Sequence, residues 1–207
     1  MAGEESELTL GVLNAVHNNS NITQRSVASA LGVALGLTNS YVKRCVKKGF
    51  IKVQQAPSKR YAYYLTPQGF VEKSRLTAEY LTQGFLFFRQ ARDQCTDVFD
   101  SCVKKGWDQI VLHGLTDLAE IAVLCAANSN VKIIGIVDDS SSLDNFSGAP
   151  VVGSISDLDE FDAVLITDLG DPQSSYDKLI KLFSADCVLA PAILNIAKYD
   201  HSAEIEN

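Results

Sequence analysis

The stretch Thr23–Val53, TQRSVASALGVALGLTNSYVKRCVKKGFIKV, decides how the first half of this 207-residue chain is read. Thr23 suits a helix N-cap, and Val27, Ala28 and Leu31 recur on one helical face, which predicts a helix from about Gln24 to Leu31. Gly32 breaks it. A second helix is predicted from about Leu35 to Lys48, ended by Gly49. Within it Thr38, Tyr41, Val42 and Cys45 follow an i, i+3, i+4, i+7 pattern and are expected to face inward. The opposite side carries Gly36, Leu37, Asn39, Ser40, Lys43, Arg44 and Lys47, and the helix holds no acidic residue. A merely solvated face would mix Glu with Lys for i,i+4 pairing. Two short helices joined by a glycine turn form a helix-turn-helix.

The flanking sequence extends this pattern in both directions. Upstream, Leu8, Val12, Leu13 and Val16 predict an amphipathic helix, followed by a turn at Asn18-Asn19-Ser20-Asn21. Downstream, Phe50–Val53 and Tyr61–Leu65 alternate like two strands, with Pro57-Ser58-Lys59-Arg60 between them. A hairpin with a basic tip directly after a basic helix reads as a wing. The residues expected to contact double-stranded DNA are Asn39, Ser40, Lys43, Arg44, Lys47, Lys59 and Arg60. Their amide, hydroxyl and cationic groups suit base edges and phosphates. The charge distribution agrees. The net charge of -7 conceals a first half (1–105) with 14 Lys+Arg against 8 Asp+Glu and a second half with 4 against 17. Such asymmetry points to separate tasks for the two halves.

The order TQRSVASALGVALGLTNSYVKRCVKKGFIKV followed by YYLTPQGF resembles the winged helix-turn-helix of MarR-type regulators, in particular their exopolysaccharide-associated group. The resemblance covers about residues 8–75 and implies a dimeric, DNA-binding transcriptional regulator. Ala34 departs from it, standing where the family usually places a Ser or Thr cap. That absence is expected to cost about 1 kcal/mol of helix stability.

From Pro67, suited to a first helical position, a helical pattern persists to about Val103. Thr77, Leu81, Gly84, Phe88, Ala91, Cys95, Val98 and Cys102 alternate at spacings of four and three, an a/d seam. Either the seam joins two copies of the chain or the helix packs on its own C-terminal domain, and both can hold at once. The five cysteines show no C-x-x-C spacing and sit among apolar neighbours, which suits packing of reduced thiols.

After Lys104-Lys105-Gly106 strands and helices alternate. Strands are predicted at Gln109–His113, Val131–Val137 and Ala163–Ile166, a short extended piece at Pro150–Gly153, and a last strand at Cys187–Leu189. Helices are predicted at Thr116–Asn128, Ser156–Glu160 and Ser174–Phe183, and a polar loop at Ser140–Ser147. Apolar strands alternating with helices imply a parallel sheet covered on both sides. The whole is therefore expected to be an α/β two-domain chain. A winged helix-turn-helix occupies 1–66, a long connecting helix 67–105, and a small Rossmann-like parallel sheet 106–207.

Ligands on such sheets lie beyond the carboxyl ends of the strands. The residues expected there are His113, Gly114, Thr116, Asp138, Asp139, Thr167 and Asp168. The turn at Gly114 has the outline of a dinucleotide-binding G-x-G-x-x-G but offers Thr116 and Ala119 at the second and third glycine positions. Asp138 follows Gly114 by 24 residues, close to the interval for an acid gripping a ribose. The segments VLHGLTDLAEIAVL, VKIIGIVDD, FSGAPVVGSISDL and FDAVLIT look like the N-terminal domain of sugar acyltransferases that use nucleotide sugars. That resemblance places Asp138 and Asp139 near the nucleotide. No hexapeptide repeats follow, so a binding module is expected and not an enzyme.

The expected effector is a metabolite, a nucleotide sugar of polysaccharide synthesis being one candidate. Bulk at Leu115 and Thr116, however, hinders close approach to a pyrophosphate and leaves the strand ends to hydrogen-bond a sugar or nucleoside. The alternatives are an NAD(H)-responsive redox regulator, a nucleotide-sugar-modifying enzyme, which is less favoured, and a scaffold whose acidic domain binds protein and no small molecule. No catalytic set or metal-ligand cluster is recognised. The acidic N-terminus and the lack of an apolar run of about 18 residues make a cytoplasmic protein the expectation.

Overall fold

The computed structural model describes residues 2–56 and 60–198, without the side chains of 2–4, 56 and 60. The chain divides into two compact units, Met1–Phe85 and Leu86–Asn207. The first is a winged helix-turn-helix. It comprises α1 (Ala2–Asn18), α2 (Gln24–Leu31), α3 (Leu35–Lys47), the antiparallel strands β1 (Ile51–Ala56) and β2 (Arg60–Leu65), and the start of α4 (Pro67–Lys105). Its core joins Leu10, Val12, Leu13 and Val16 of α1 to Val27 of α2, Val42 and Cys45 of α3, Phe50, Ile51 and Leu76. Thr23 caps α2 by accepting from Ser26 N–H, and the Ser26 hydroxyl accepts in return from Thr23 N–H. That reciprocal pair fixes the start of the helix where sequence placed it.

The start of α3 has no such device. Ala34 holds an extended N-cap conformation with no side-chain hydrogen bond. Ala34→Ser is expected to raise the stability of this unit by about 1 kcal/mol, read as a shift in the urea midpoint at unchanged slope. At the other end of the wing, Thr66 donates to Gly49 O at 2.6 Å and accepts from Gly69 N–H at 3.0 Å. The N-terminus of α4 is thereby tied to the strand entry. Gly69 lies so close to the Phe50 carbonyl that no side chain fits there.

The second unit is a six-stranded sheet in the order β5-β6-β4-β3-β7-β8, flanked by helices. Its elements are the rest of α4, β3 (Gln109–His113), α5 (Asp117–Ala126), β4 (Lys132–Val137), β5 (Asn145–Phe146), β6 (Ala149–Val152), β7 (Ala163–Ile166), α6 (Pro172–Leu179) and β8 (Val188–Leu189). All neighbouring pairs are parallel except β5 and β6. The centre is apolar throughout: Ile110, Val111 and Leu112 of β3 and Ala163–Ile166 of β7 are fully buried. Strand order reverses direction at β3, where ligands of such sheets gather.

Three expectations change. The polar loop at 140–147 contains β5, because Gly148 turns the chain back and donates its N–H to Asn145 Oδ1, which seats Asn145 and Phe146 against β6. The short helix expected at 156–160 is a single 3₁₀ turn, Ile155–Asp157, capped by Ser154. The heptad seam is divided. Ala91, Cys95 and Cys102 are buried, with Phe99, in the core of the second unit and are unavailable to a partner helix. In the first unit Tyr80, Leu81 and Phe85 of the same helix are exposed. All five cysteines are free. Burial pushes the Cys45 thiol up to about 11 and Cys95 to about 12, which leaves both protonated and unreactive at neutral pH.

Candidate nucleic-acid interface and small-molecule cavity

On α3 the two faces separate as the periodicity requires. Thr38, Val42 and Cys45 are buried, whereas Gly36, Leu37, Ser40, Lys43, Arg44 and Lys47 are exposed and Asn39 is half-buried. Leu35 and Leu37 add exposed apolar surface at the N-terminal end of the helix. One feature of this face was invisible in the helix itself. Arg44 forms an ion pair with Glu5 of α1, both side chains remaining nearly half exposed. Lys48, one residue beyond the helix, lies over the Phe50 ring with its Nζ 5.8 Å from the centroid. Lys59 lies outside the described residues. Arg60 opens β2, but its side chain is not described.

In the second unit the strand ends enclose a cavity of about 350 Å³. His113, Gly114, Thr116, Asp138, Asp139 and Asp168 line it together, while Thr167 is fully buried beneath. Ser140, Ser175 and Lys178 also line it and were not anticipated. The two on α6 could have been found from their spacing of three, which sets both on one helical face.

The polar groups at the floor of this cavity are bonded to one another. The Thr116 hydroxyl donates to Thr167 O at 2.5 Å, and the Thr167 hydroxyl donates to Gly114 O at 2.6 Å. Gly114 has φ of +100°, and a Cβ there would stand 2.7 Å from the Asp168 backbone. The glycine therefore lets two loops of the same chain meet. Asp138 Oδ2 accepts from Leu115 N–H at 2.8 Å, and its Oδ1 accepts from the N–H groups of Ser140 and Ser141 and from the Ser140 hydroxyl. Asp168 accepts from Gly170 N–H, Asp171 N–H and the Ser175 hydroxyl. Burial alone would raise both carboxyls. These hydrogen bonds outweigh it and hold them below the usual range.

This arrangement opposes a pyrophosphate, and with it a nucleotide sugar or NAD(H). The Asp138 carboxylate, expected to grip a ribose, already accepts four hydrogen bonds from its own chain. The N–H of Leu115 is spent on Asp138 and that of Gly114 on Val137 O. Helix α5 begins with Asp117 and carries Glu120 in its first turn, charges that oppose an anion at that end. Three carboxylates face the cavity against the single ammonium of Lys178. A unit anion about 4 Å from one of them is opposed by about 4 kcal/mol at an effective dielectric of about 20.

His113 Nδ1 is buried and has no hydrogen-bond partner among the described residues. Burial lowers the pKa of this imidazole, against the neighbouring Asp168 carboxylate, which raises it. An unfolded histidine takes a proton near about pH 6.5, whereas the folded one resists it. Its contribution to stability is therefore complete above about pH 6.5 and is lost as pH falls through the lower folded value. Urea titrations of the α/β unit should show stability declining below about pH 6.5 in the wild type, with a flatter limb down to about pH 5 in His113→Gln. Asp138 and Asp168 act lower still, their contribution being lost as pH falls below the ordinary carboxylate range.

The profile of the winged helix-turn-helix DNA-binding family matches residues 5–52. No curated protein matches the chain. Among solved structures, the transcriptional regulator SlyA is similar at 22% identity and a TM-score of 0.35, over 38% of this chain and 56% of that one. The chain thus spans little more than half the length of SlyA. The PcaV transcriptional regulator from Streptomyces coelicolor is 22% identical with a TM-score of 0.38, over 47% of this chain and 74% of its own. MepR, a transcription regulator of the Staphylococcus aureus multidrug efflux pump MepA, is 23% identical with a TM-score of 0.33, over 40% and 62%. No helix among the described residues is long and apolar enough to cross a membrane.

Proposed function

We propose that this chain is a DNA-binding transcriptional regulator of the MarR-like kind, whose α/β unit responds to a small molecule. The observation that carries the reading is the outer face of α3, where Ser40, Lys43 and Lys47 stand exposed opposite a buried stripe and no acid shares the helix. The match of residues 5–52 to a DNA-binding family supports it. In this reading α3 enters the major groove. Asn39 and Ser40 reach base edges, Leu37 meets thymine methyl groups, and Lys43, Arg44 and Lys47 hold phosphates. Lys59 and Arg60 of the wing take the adjacent backbone.

A regulator that reads two half-sites needs two heads at fixed separation. The exposed Tyr80, Leu81 and Phe85 of α4 favour a homodimer. Sedimentation equilibrium checks this, and a monomer at micromolar concentration would remove it.

The test of the whole reading is affinity for the DNA upstream of the protein's own coding sequence, measured as salt is raised. A linear fall of log K with log salt, with a slope of about −4 or steeper, is expected if five or more phosphates are neutralised. A flat dependence would retire the proposal.

The Glu5–Arg44 pair gives a second test. Exposed ion pairs contribute about 0.2–1 kcal/mol. Breaking this one to reach a phosphate opposes binding by that amount. Glu5→Gln should therefore bind DNA up to about fivefold more tightly, with the salt slope steeper by about one. Unchanged affinity and slope would mean that Arg44 stays away from the phosphates.

A further inference from the structure

We infer that the strand-end cavity of the α/β unit takes a small, donor-rich molecule that is uncharged or cationic, a polyol or an amino sugar, and turns away phosphorylated ligands. This deepens the reading of that cavity as the sensory site, and rests on it.

The hydroxyl protons around the cavity are already used within the protein. The Ser140 hydroxyl spends its proton on Asp138 at 2.7 Å, the Ser175 hydroxyl on Asp168 at 2.7 Å, and the Thr116 hydroxyl on Thr167 O. Each hydroxyl has one proton to give, so these oxygens have only lone pairs left to offer a ligand. Asp139 makes no hydrogen bond among the described residues and adds two accepting oxygens. His113 also lines the cavity, and its unpartnered Nδ1 is buried away from it. Lys178 is the one ammonium on the lining.

A site rich in acceptors and net negative selects for O–H and N–H donors and for positive charge. A phosphate ester brings the reverse, namely acceptor oxygens and negative charge. At about 350 Å³ the cavity falls at the small end of ligand-binding cavities, which suits one sugar-sized ring rather than a dinucleotide. The turn after β3 keeps the outline of a phosphate-binding fold. Within that turn the Asp138 carboxylate has taken the Leu115 N–H, one of the groups a phosphate would use.

The experiment is calorimetry on the full chain with four probes that share one ring and differ in charge: glucosamine, glucose, glucose 1-phosphate and UDP-glucose. Glucosamine is expected to bind most tightly, glucose more weakly, and the two phosphorylated probes at least about tenfold more weakly than glucose. Asp139→Asn, an exposed position without a hydrogen bond to lose, should reduce the preference for glucosamine over glucose by several-fold while leaving the fold unchanged. A phosphorylated probe that binds as tightly as glucose overturns the inference. So does the absence of heat from both unphosphorylated probes at millimolar concentration. The sensory reading is tested apart from this, by DNA affinity with and without glucosamine. Binding that leaves DNA affinity untouched supports the ligand class and retires the sensing role.

Discussion

Alanine at position 114 should destabilise the α/β unit by about 3 kcal/mol or more, among the larger effects a single methyl group can have. Two costs combine. The backbone there has φ of +100°, and forcing a side chain into such a conformation costs about 1–3 kcal/mol. The added Cβ would also stand 2.7 Å from the Asp168 nitrogen and Cα, which are main-chain atoms. Overpacking against groups that cannot rotate away costs a further 1–3 kcal/mol or so. Relief by moving the loops apart is opposed by the bonds from Thr167 to Gly114 and from Thr116 to Thr167. The measurement is urea unfolding followed by the fluorescence of Trp107, the only tryptophan, which lies in the same unit. Gly153→Ala is the control, since a Cβ there meets nothing within 4 Å, and it should change stability by less than about 0.5 kcal/mol. A Gly114→Ala protein as stable as the control would show that the two loops are not locked together.

That glycine also marks the limit of what the sequence discloses. Helix α2 was legible to the residue because both of its ends are written in local chemistry, a capping threonine and a terminating glycine. Strands β3 and β7 were legible because uninterrupted apolar runs have few other uses in a chain of this kind. The heptad of α4 was ambiguous for a physical reason. Small residues such as Ala91, Cys95 and Cys102 fit equally well against a sheet or a partner helix, and only the three-dimensional neighbours decide. Two-residue β5 is too short for any periodicity.

At the candidate sites, residue identity was readable but commitment was not. Asp138 and Asp168 stand where ligand-binding acids stand. Yet their partners are largely backbone N–H groups, which every residue but proline possesses and which leave no trace in sequence. Glu5 escaped notice similarly. It is 39 positions from Arg44, and only within one helix is the pairing of charges a matter of spacing.

Replacing both Lys43 and Lys47 by alanine should weaken DNA binding about a hundredfold at low salt and flatten the salt slope by about two. Each ammonium in contact with a phosphate contributes roughly tenfold, and each releases about one counterion's worth of slope. The loss should be nearly the same on unrelated DNA sequences, because phosphates carry no sequence information. Arg44 is left out of this pair deliberately. Its removal would also leave Glu5 unneutralised beside the DNA, adding repulsion to the lost contact and spoiling the count. Stability should hold, since both lysines are exposed and alanine is the better helix former. Lys132→Ala, an exposed position in the other unit, should change neither affinity nor slope. The slope is the more discriminating readout. Affinity can fall because α3 has been disturbed, but the count of displaced ions falls only if those particular ammonium groups had been lying against the backbone of the duplex.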